Sequence, residues 1–290
     1  MQAMQFSKQR KNMYLKMSDA EYFALPDLNQ SKIKDYISLT PVAFEHKQGE
    51  ERSQTDAMLF GSVVHCMVLE PEAYNDRYAC FVFDDTKLDP EKEYKNVKAT
   101  KVYKEQVAEF LEINKDKIVI DADVAGRAGL AAMSLKKNIE AFQNVGQPEV
   151  ETEMAVIQKL HGVPCKAKLD YARRDSNLII DIKTTSDPLD EDSLSRHVYK
   201  WHFPIQAAFY LDLMKAETSD DYTMIFALVN SKLPYDVRCM AVSDELTPDF
   251  LDVGRQKVID GLELHRQYTT ARSEFFETTT FLPEKVPYWY

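Results

Sequence analysis

The run Cys-Lys-Ala-Lys-Leu-Asp-Tyr-Ala-Arg-Arg-Asp-Ser-Asn-Leu-Ile-Ile-Asp-Ile-Lys, from Cys165 to Lys183, restricts what this chain can become more than any other segment. It reads as two short strands joined by a polar turn. The second, Leu178-Ile-Ile-Asp-Ile-Lys183, is almost continuously apolar, the pattern of a central strand covered on both faces. Side chains alternate along a strand, so Lys166, Lys168 and Asp170 project to one face while Leu169 and Tyr171 project to the other. Asp181 and Lys183 are separated from Ile180 and Ile182 in the same way. An Asp-x-Lys at a strand end can be a solvated edge or a surface ion pair worth little energy. Carboxylates that interrupt a buried strand are another matter, because burying them is costly unless they are paired or bound to a cation. The pattern is therefore that of a divalent-metal phosphodiesterase site in outline.

Around this segment the chain alternates strand and helix signals. Strands are expected over 149–158, 163–173 and 177–183, with a turn at His161-Gly162, and again over 222–229 and 235–242. Ser18-Asp-Ala-Glu21 has the form of a capping box, Asn29-Gln-Ser31 starts a second helix, and Pro41 starts a third short element. A polar loop over 47–56 precedes Ala57–Leu69, which is apolar almost all round and reads as a buried helix ended by Pro71. The charged stretch 84–101 reads as an exposed, mobile loop. Apolar stripes follow at Tyr103, Val107, Phe110 and Leu111, and at Val124, Ala128, Ala131, Leu135 and Ile139. After the strands come a polar crossover, a helix over 203–215 and a long helix over 247–268. This order predicts an α/β domain with a mixed central sheet flanked by helices.

With 290 residues, 44% of them hydrophobic, the chain can fill one large core. The expected organisation is a flexible extension over 1–17 and a single domain over 18–290, with its catalytic core at about 149–215. Nothing in it is long and apolar enough for a membrane span, and the start lacks the apolar stretch of a signal peptide, so a cytoplasmic location is expected. Cys66, Cys80, Cys165 and Cys239 are scattered, which excludes zinc-knuckle and iron–sulfur spacing. A net charge of -11 excludes a generally basic surface but not a local basic channel, for which Lys166, Lys168, Arg173 and Arg174 are the candidates. There is no phosphate-binding G-x-x-x-x-G-K-[ST] loop, so intrinsic ATP use is not expected.

Phosphodiester cleavage needs charge neutralised at the phosphate, an activated water and a stabilised leaving oxygen. A hard divalent cation held by carboxylates and carbonyl oxygens supplies much of this. Asp170 and Asp181 suit the ligand role, with the Ile182 carbonyl as a further oxygen, and Lys183 can orient or activate water. His65 in its apolar helix is on its own residues more often a hydrogen-bonded core histidine than a ligand. Gly61, four residues earlier, allows close approach of another backbone. Glu151 and Glu153 share a strand parity, so either can face the site. Gln206 and Tyr210 lie one helical turn apart on one face, with Trp201 and Phe209 nearby.

In order along the chain, Asp170, Asp181-Ile-Lys183 and Gln206-x-x-x-Tyr210 resemble the PD-(D/E)XK nuclease superfamily. Three more segments resemble its phage and prophage RecE-type (exonuclease VIII-like) exonucleases: Leu28-Asn-Gln-Ser-Lys-Ile-Lys34, Phe60-Gly-Ser-Val-Val-His-Cys-Met-Val-Leu-Glu-Pro71 and Gly162-Val-Pro-Cys-Lys-Ala-Lys-Leu-Asp170. The likeness runs from about Ser18 to Tyr210. It departs from the commoner pattern in having Asp rather than Glu as the second acid.

The resemblance implies a PD-(D/E)XK core in which His65, Asp170 and Asp181 bind metal, joined by Glu153 in preference to Glu151 and by the Ile182 carbonyl. Lys183 is then catalytic together with the two aspartates, Gln206 and Tyr210 hold the DNA end or order the site, and Ser31 contacts a terminal phosphate. It further implies two Mg²⁺ per site with Mn²⁺ able to substitute, linear double-stranded DNA as substrate, a ring-shaped homo-oligomer and a single-strand annealing protein as partner. The expected activity is degradation of one strand, 5′ to 3′, leaving 3′ single-stranded overhangs for recombination. The rivals are a structure-specific or restriction-type endonuclease on the same fold and an inactive DNA-binding scaffold.

Overall fold

A computed structural model of the chain describes residues 13–49 and 54–271. Its strands are β1 (Met13–Lys16), β2 (Tyr78–Cys80), β3 (Ile118–Ile120), β4 (Glu151–Leu160), β5 (Val163–Arg173), β6 (Leu178–Thr185), β7 (Thr223–Asn230) and β8 (Val237–Val242). Its helices are α1 (Asp19–Ala24), α2 (Gln30–Ser38), α3 (Pro41–Gly49), α4 (Asp56–Leu69), α5 (Tyr74–Arg77), α6 (Lys101–Ile113), α7 (Ala122–Asn138), α8 (Glu191–Lys200), α9 (Phe203–Thr218) and α10 (Pro248–Thr270).

Six strands form the main sheet in the order β1-β4-β5-β6-β7-β8. All neighbours are antiparallel except β6 and β7, which are parallel. A parallel pair needs a crossover of a dozen or more residues, and α8 and α9 supply it. The β4–β5 hairpin turns at His161 (φ 47°) and Gly162 (φ 82°), and the β5–β6 connection passes through a 3₁₀ turn and left-handed Asn177 (φ 48°). These are the turns expected from the sequence.

Helices cover both faces of the sheet. On one, Ile33, Phe44, Phe203, Phe209, Leu213 and Leu251 pack on Val156, Leu169, Ile179 and Phe226. On the other, Val63, Val64, Ala131 and Leu135 pack on Tyr171, Ile180, Ile182 and Ala227. The apolar run of β6 is thus buried on both sides, as its composition demanded. α9 and α10 meet so closely that a Cβ at Gly254 would fall 2.1 Å from the Pro204 carbonyl oxygen.

Five expectations change. Of the extension placed at 1–17, Met13–Lys16 form β1, paired with Met154–Ile157 at the sheet edge; residues 1–12 lie outside the described chain. The polar loop placed at 47–56 is helical up to Gly49 and again from Asp56, with 50–53 outside the described residues. The crossover contains α8, whose Asp190 side chain caps Ser193 N–H and whose acidic first turn and basic last turn match the helix dipole. The α6 stripe buries nothing fully; Leu111 is 47% exposed, while Tyr103 meets the rings of Phe81 and Phe83 and Phe110 that of Phe81. The stretch 84–101 contains 3₁₀ turns at Asp85–Lys87 and Val97–Ala99.

Candidate active site

The site begins where the main sheet comes apart. β5 and β6 pair through Arg173↔Leu178, Ala172↔Ile179 and Tyr171↔Ile180, and the ladder then stops one step before Asp170 and Asp181. Beyond it the Ile182 peptide has no strand partner on this edge. Side chains replace the strand: Ile182 N–H donates to Asp170 Oδ2 at 2.8 Å, and the Ile182 carbonyl meets His65 Nε2 at 2.9 Å. A buried peptide left unpaired costs as much as a lost hydrogen bond, so Asp170 and His65 are held in place by finishing the sheet.

His65 reaches β6 because α4 lies against it. A Cβ at Gly61 would stand 3.1 Å from Thr184 Oγ1, tighter than ordinary contact, so a larger residue there would push the helix and His65 away. A carbonyl only accepts, so Nε2 carries a hydrogen. In the neutral ring the lone pair is then on Nδ1, which lies 3.5 Å from Asp170 Oδ2. The Ile182 carbonyl therefore orients His65, a role typical of groups behind a metal-ligating histidine, and its second lone pair stays available as an oxygen ligand.

Glu153 completes the cluster. The β4–β5 register runs through Thr152↔Tyr171 and Met154↔Leu169, which sets Glu153 opposite Asp170. Its φ is 57°, a left-handed conformation in the middle of a strand. Such a backbone costs about 1–2 kcal/mol for a residue with a Cβ, and strain of this kind collects at functional sites. One ligand atom each from His65, Glu153 and Asp170 lies within 4.8 Å of the others, the spacing for one shared cation. Glu151, of the same parity, instead accepts from Tyr14 Oη at 2.8 Å and meets Arg174 at 3.5 Å. Burial raises the Asp170 carboxyl above its usual range, and the nearby charges of Asp181 and Glu153 push the same way against His65 and Lys183. Three groups rich in negative charge and short of water fit a divalent cation.

Asp181 sits beside this cluster rather than in it. Its Oδ1 accepts from Gln206 Nε2 at 2.6 Å, and Lys183 Nζ is 2.5 Å from its Oδ2. The Lys183 ammonium thus supplies the counter-charge of this buried carboxylate oxygen. Gln206 and Tyr210 are 2% and 8% exposed and lie behind the carboxylates. Burial, then the charge of Asp181, drives the Tyr210 phenol far above its ordinary pKa, so it stays protonated. Their place is one of ordering the site; a DNA-facing role needs surface that neither has here.

The lysines and arginines proposed for a basic channel are engaged within the chain. Lys166 is buried under α1, donating to the Tyr22 and Leu25 carbonyls. Lys168 bridges Asp19 at 2.5 Å and Glu153 at 2.6 Å, Arg173 pairs with Asp175, and Arg174 lies over the Tyr14 ring. Ser31 is exposed in the first turn of α2, capped by Asn29, with Gln30 donating to its hydroxyl at 3.2 Å. Sequence reasoning passed over Lys34, three residues on. Burial first, and the charge of Lys183 second, lower its ammonium pKa to about 7. Its only signal was a lysine one turn past a helix cap, which ordinarily means a solvated surface.

A family described as a PDDEXK-like domain of unknown function, DUF3799, matches residues 30–274 of the chain. Among solved structures, an exonuclease candidate from Eubacterium rectale is 14% identical, covers 90% of this chain and 88% of its own, and superposes with a TM-score of 0.57. A phage-related exonuclease from Haemophilus somnus 129PT is also 14% identical, with coverages of 62% and 91% and a TM-score of 0.33. The alkaline exonuclease LHK-Exo from Laribacter hongkongensis is 14% identical, with coverages of 62% and 89% and a TM-score of 0.27. At this identity the first likeness is one of fold, and the other two superpose too loosely to add to it. No curated protein matches the chain.

Proposed function

We infer that this chain, which belongs to the PDDEXK-like family DUF3799 and has an α/β core of that type, is a metal-dependent exodeoxyribonuclease acting on linear double-stranded DNA. The observation that carries this reading is the convergence of His65, Glu153 and Asp170 within 4.8 Å, next to the Asp181–Lys183 pair. His65 through Nδ1, Glu153 and Asp170 would hold a divalent ion, Mg²⁺ with Mn²⁺ able to substitute, and Asp181 would share a second. Such an ion supplies charge neutralisation at the phosphate and a more acidic water.

The chain's own residues do the rest. Lys183 presents an ammonium beside the carboxylates, where it orients the attacking water and offsets charge developing on the phosphate. Gln206 holds Asp181 toward that ammonium, and the hydrogen bond from His65 to Ile182 keeps the imidazole lone pair aimed into the site. Glu153 must exchange Lys168 for the cation, so Lys168 fills part of the positive charge until then.

Degradation of one strand from 5′ to 3′, independent of ATP and leaving 3′ overhangs for recombination, completes the proposal. With it go a ring-shaped homo-oligomer, an annealing protein as partner, contact of Ser31 with a terminal phosphate, and a cytoplasmic setting. Among the described residues no helix is long and apolar enough to cross a membrane. Digestion of 5′-labelled and 3′-labelled linear duplex beside a covalently closed circle, with Mg²⁺ and without ATP, tests it. The expected result is loss of the linear duplex with one strand surviving and the circle intact. Cutting of the circle would turn the reading to an endonuclease, and no cleavage with either Mg²⁺ or Mn²⁺ would leave only a DNA-binding scaffold.

A further inference from the structure

Two features beside the hydrolytic centre are left unexplained by it. The first is Lys34. Its side chain is half-buried, and its one hydrogen-bond acceptor among the described residues is the Trp201 carbonyl at 3.1 Å. No carboxylate among the described residues forms an ion pair with it; the charge of Lys183 lowers its pKa, and those of Asp181 and Asp35 raise it. An ammonium without its own anion can take one from a ligand, and only one of its three N–H donors is used by the Trp201 carbonyl.

The second feature is the end of α8. Trp201 and Tyr199 are 53% and 54% exposed, although large aromatic side chains are among the most favourable to bury. The Trp201 backbone is fixed on both sides. Its N–H donates to the His197 carbonyl, its carbonyl accepts from Lys34, and the next residue, His202, turns the chain at φ 55° into α9 and meets Ser38 Oγ at 3.2 Å. Lys200 Nζ stands 5.4 Å from the indole centroid. The outcome is a half-exposed indole on a fixed backbone, with Lys200 over its ring and the His197 ring 6.1 Å away, five residues before the Gln206 that holds Asp181.

We propose that Lys34 and Trp201 form a nucleotide clamp beside the hydrolytic centre, Lys34 taking a backbone phosphate and the exposed indole face stacking on a base of the bound strand. An aromatic face accepts any base, and a bare ammonium accepts any phosphodiester, so the clamp grips a single strand without reading sequence. A nucleotide satisfies both groups at once, with its phosphate for Lys34 and the π-face of its base for Trp201. The proposal rests on the nuclease reading above and names the part of that site that holds the strand.

The test uses fluorescein-labelled linear duplex with a single-stranded end, bound by the full chain in Ca²⁺ and followed by anisotropy over a range of salt. Trp201→Ala should weaken binding roughly 5- to 150-fold, the range of one base stacked on one aromatic ring, while Trp201→Phe should keep most of the affinity. Lys34→Ala should flatten the plot of log affinity against log salt by about 0.7–0.9, the loss of one phosphate contact, and Lys34→Arg should restore it. Circular dichroism melts of the four variants show whether a loss comes from unfolding, and the two conservative variants decide the matter if the alanines melt early. If wild type binds and cleaves while Trp201→Ala binds within about twofold of it and Lys34→Ala keeps the wild-type slope, the clamp is wrong and the nuclease reading stands. A wild-type chain that neither binds nor cleaves DNA overturns both.

Discussion

Along β7, β6 is paired over its whole length, from Leu178↔Thr223 to Thr185↔Asn230; along β5 its pairing ends at Tyr171↔Ile180. The same strand thus has a closed edge, where backbone meets backbone, and an open edge, where the Ile182 peptide is completed by Asp170 and His65. The closed edge is backed by fully buried Phe226, stacked on Phe203 at 4.5 Å, and it carries stability. The open edge gathers carboxylates that repel one another and a strained Glu153, arrangements that lower stability unless a cation resolves them. Stability and chemistry are divided between the two sides of one strand, and substitutions on each side should separate them.

The largest effect belongs to the open edge. Asp170→Asn keeps an oxygen to accept from Ile182 N–H but removes the charge, so hydrolysis should fall by on the order of 10³-fold or more while the denaturation midpoint holds or rises. Loss of stability matching the loss of activity would break the comparison. On the closed edge Phe226→Ala should do the reverse, costing about 3–5 kcal/mol in chemical denaturation with the turnover of the folded fraction unchanged. Gln206→Leu, which withdraws the donor from Asp181 but keeps an apolar packing volume, should reduce kcat about 10- to 100-fold, the scale for partners behind a metal site. A change in KM alone would instead place Gln206 in DNA binding.

The smallest effect is the dependence of metal binding on pH. Because the folded chain raises the Asp170 pKa, this group's contribution to stability is complete below the ordinary carboxylate value of about 4 and is lost as pH rises through the raised one. A divalent ion needs the deprotonated form. The rise in Tm on adding Mn²⁺ should therefore grow with pH across that window and vanish near its lower end; a rise independent of pH would mean that Asp170 is not a ligand.

The strands were legible because β6 is an unbroken apolar run and β5 alternates polar and apolar residues, but the expected parity fails past Leu169, since Leu169 and Tyr171 pack into opposite cores. β1, β2 and β3 were not, since strands of three or four residues carry too few alternations to show a period. At the site, Asp170, Asp181 and Lys183 stood out as charges in an apolar context. His65 could not be separated from an ordinary core histidine, because its meaning depends on Ile182, 117 residues away in the chain. Parity left Glu151 and Glu153 equal and the family resemblance favoured Glu153; the structure gathers Glu153 with His65 and Asp170, while Tyr14 claims Glu151. The lysine and arginine cluster looked like a channel because its acid partners, Asp19, Glu151 and Asp175, reach it through tertiary contacts and turns rather than through strand spacing.

That the open edge of β6 is a divalent-cation site is tested most directly by titrating Mn²⁺ into the wild-type chain and Asp170→Asn and following the free-ion signal by electron paramagnetic resonance. Wild type should deplete the signal, and Asp170→Asn, folded with a denaturation midpoint that holds or rises, should not. Equal depletion by both chains would contradict it.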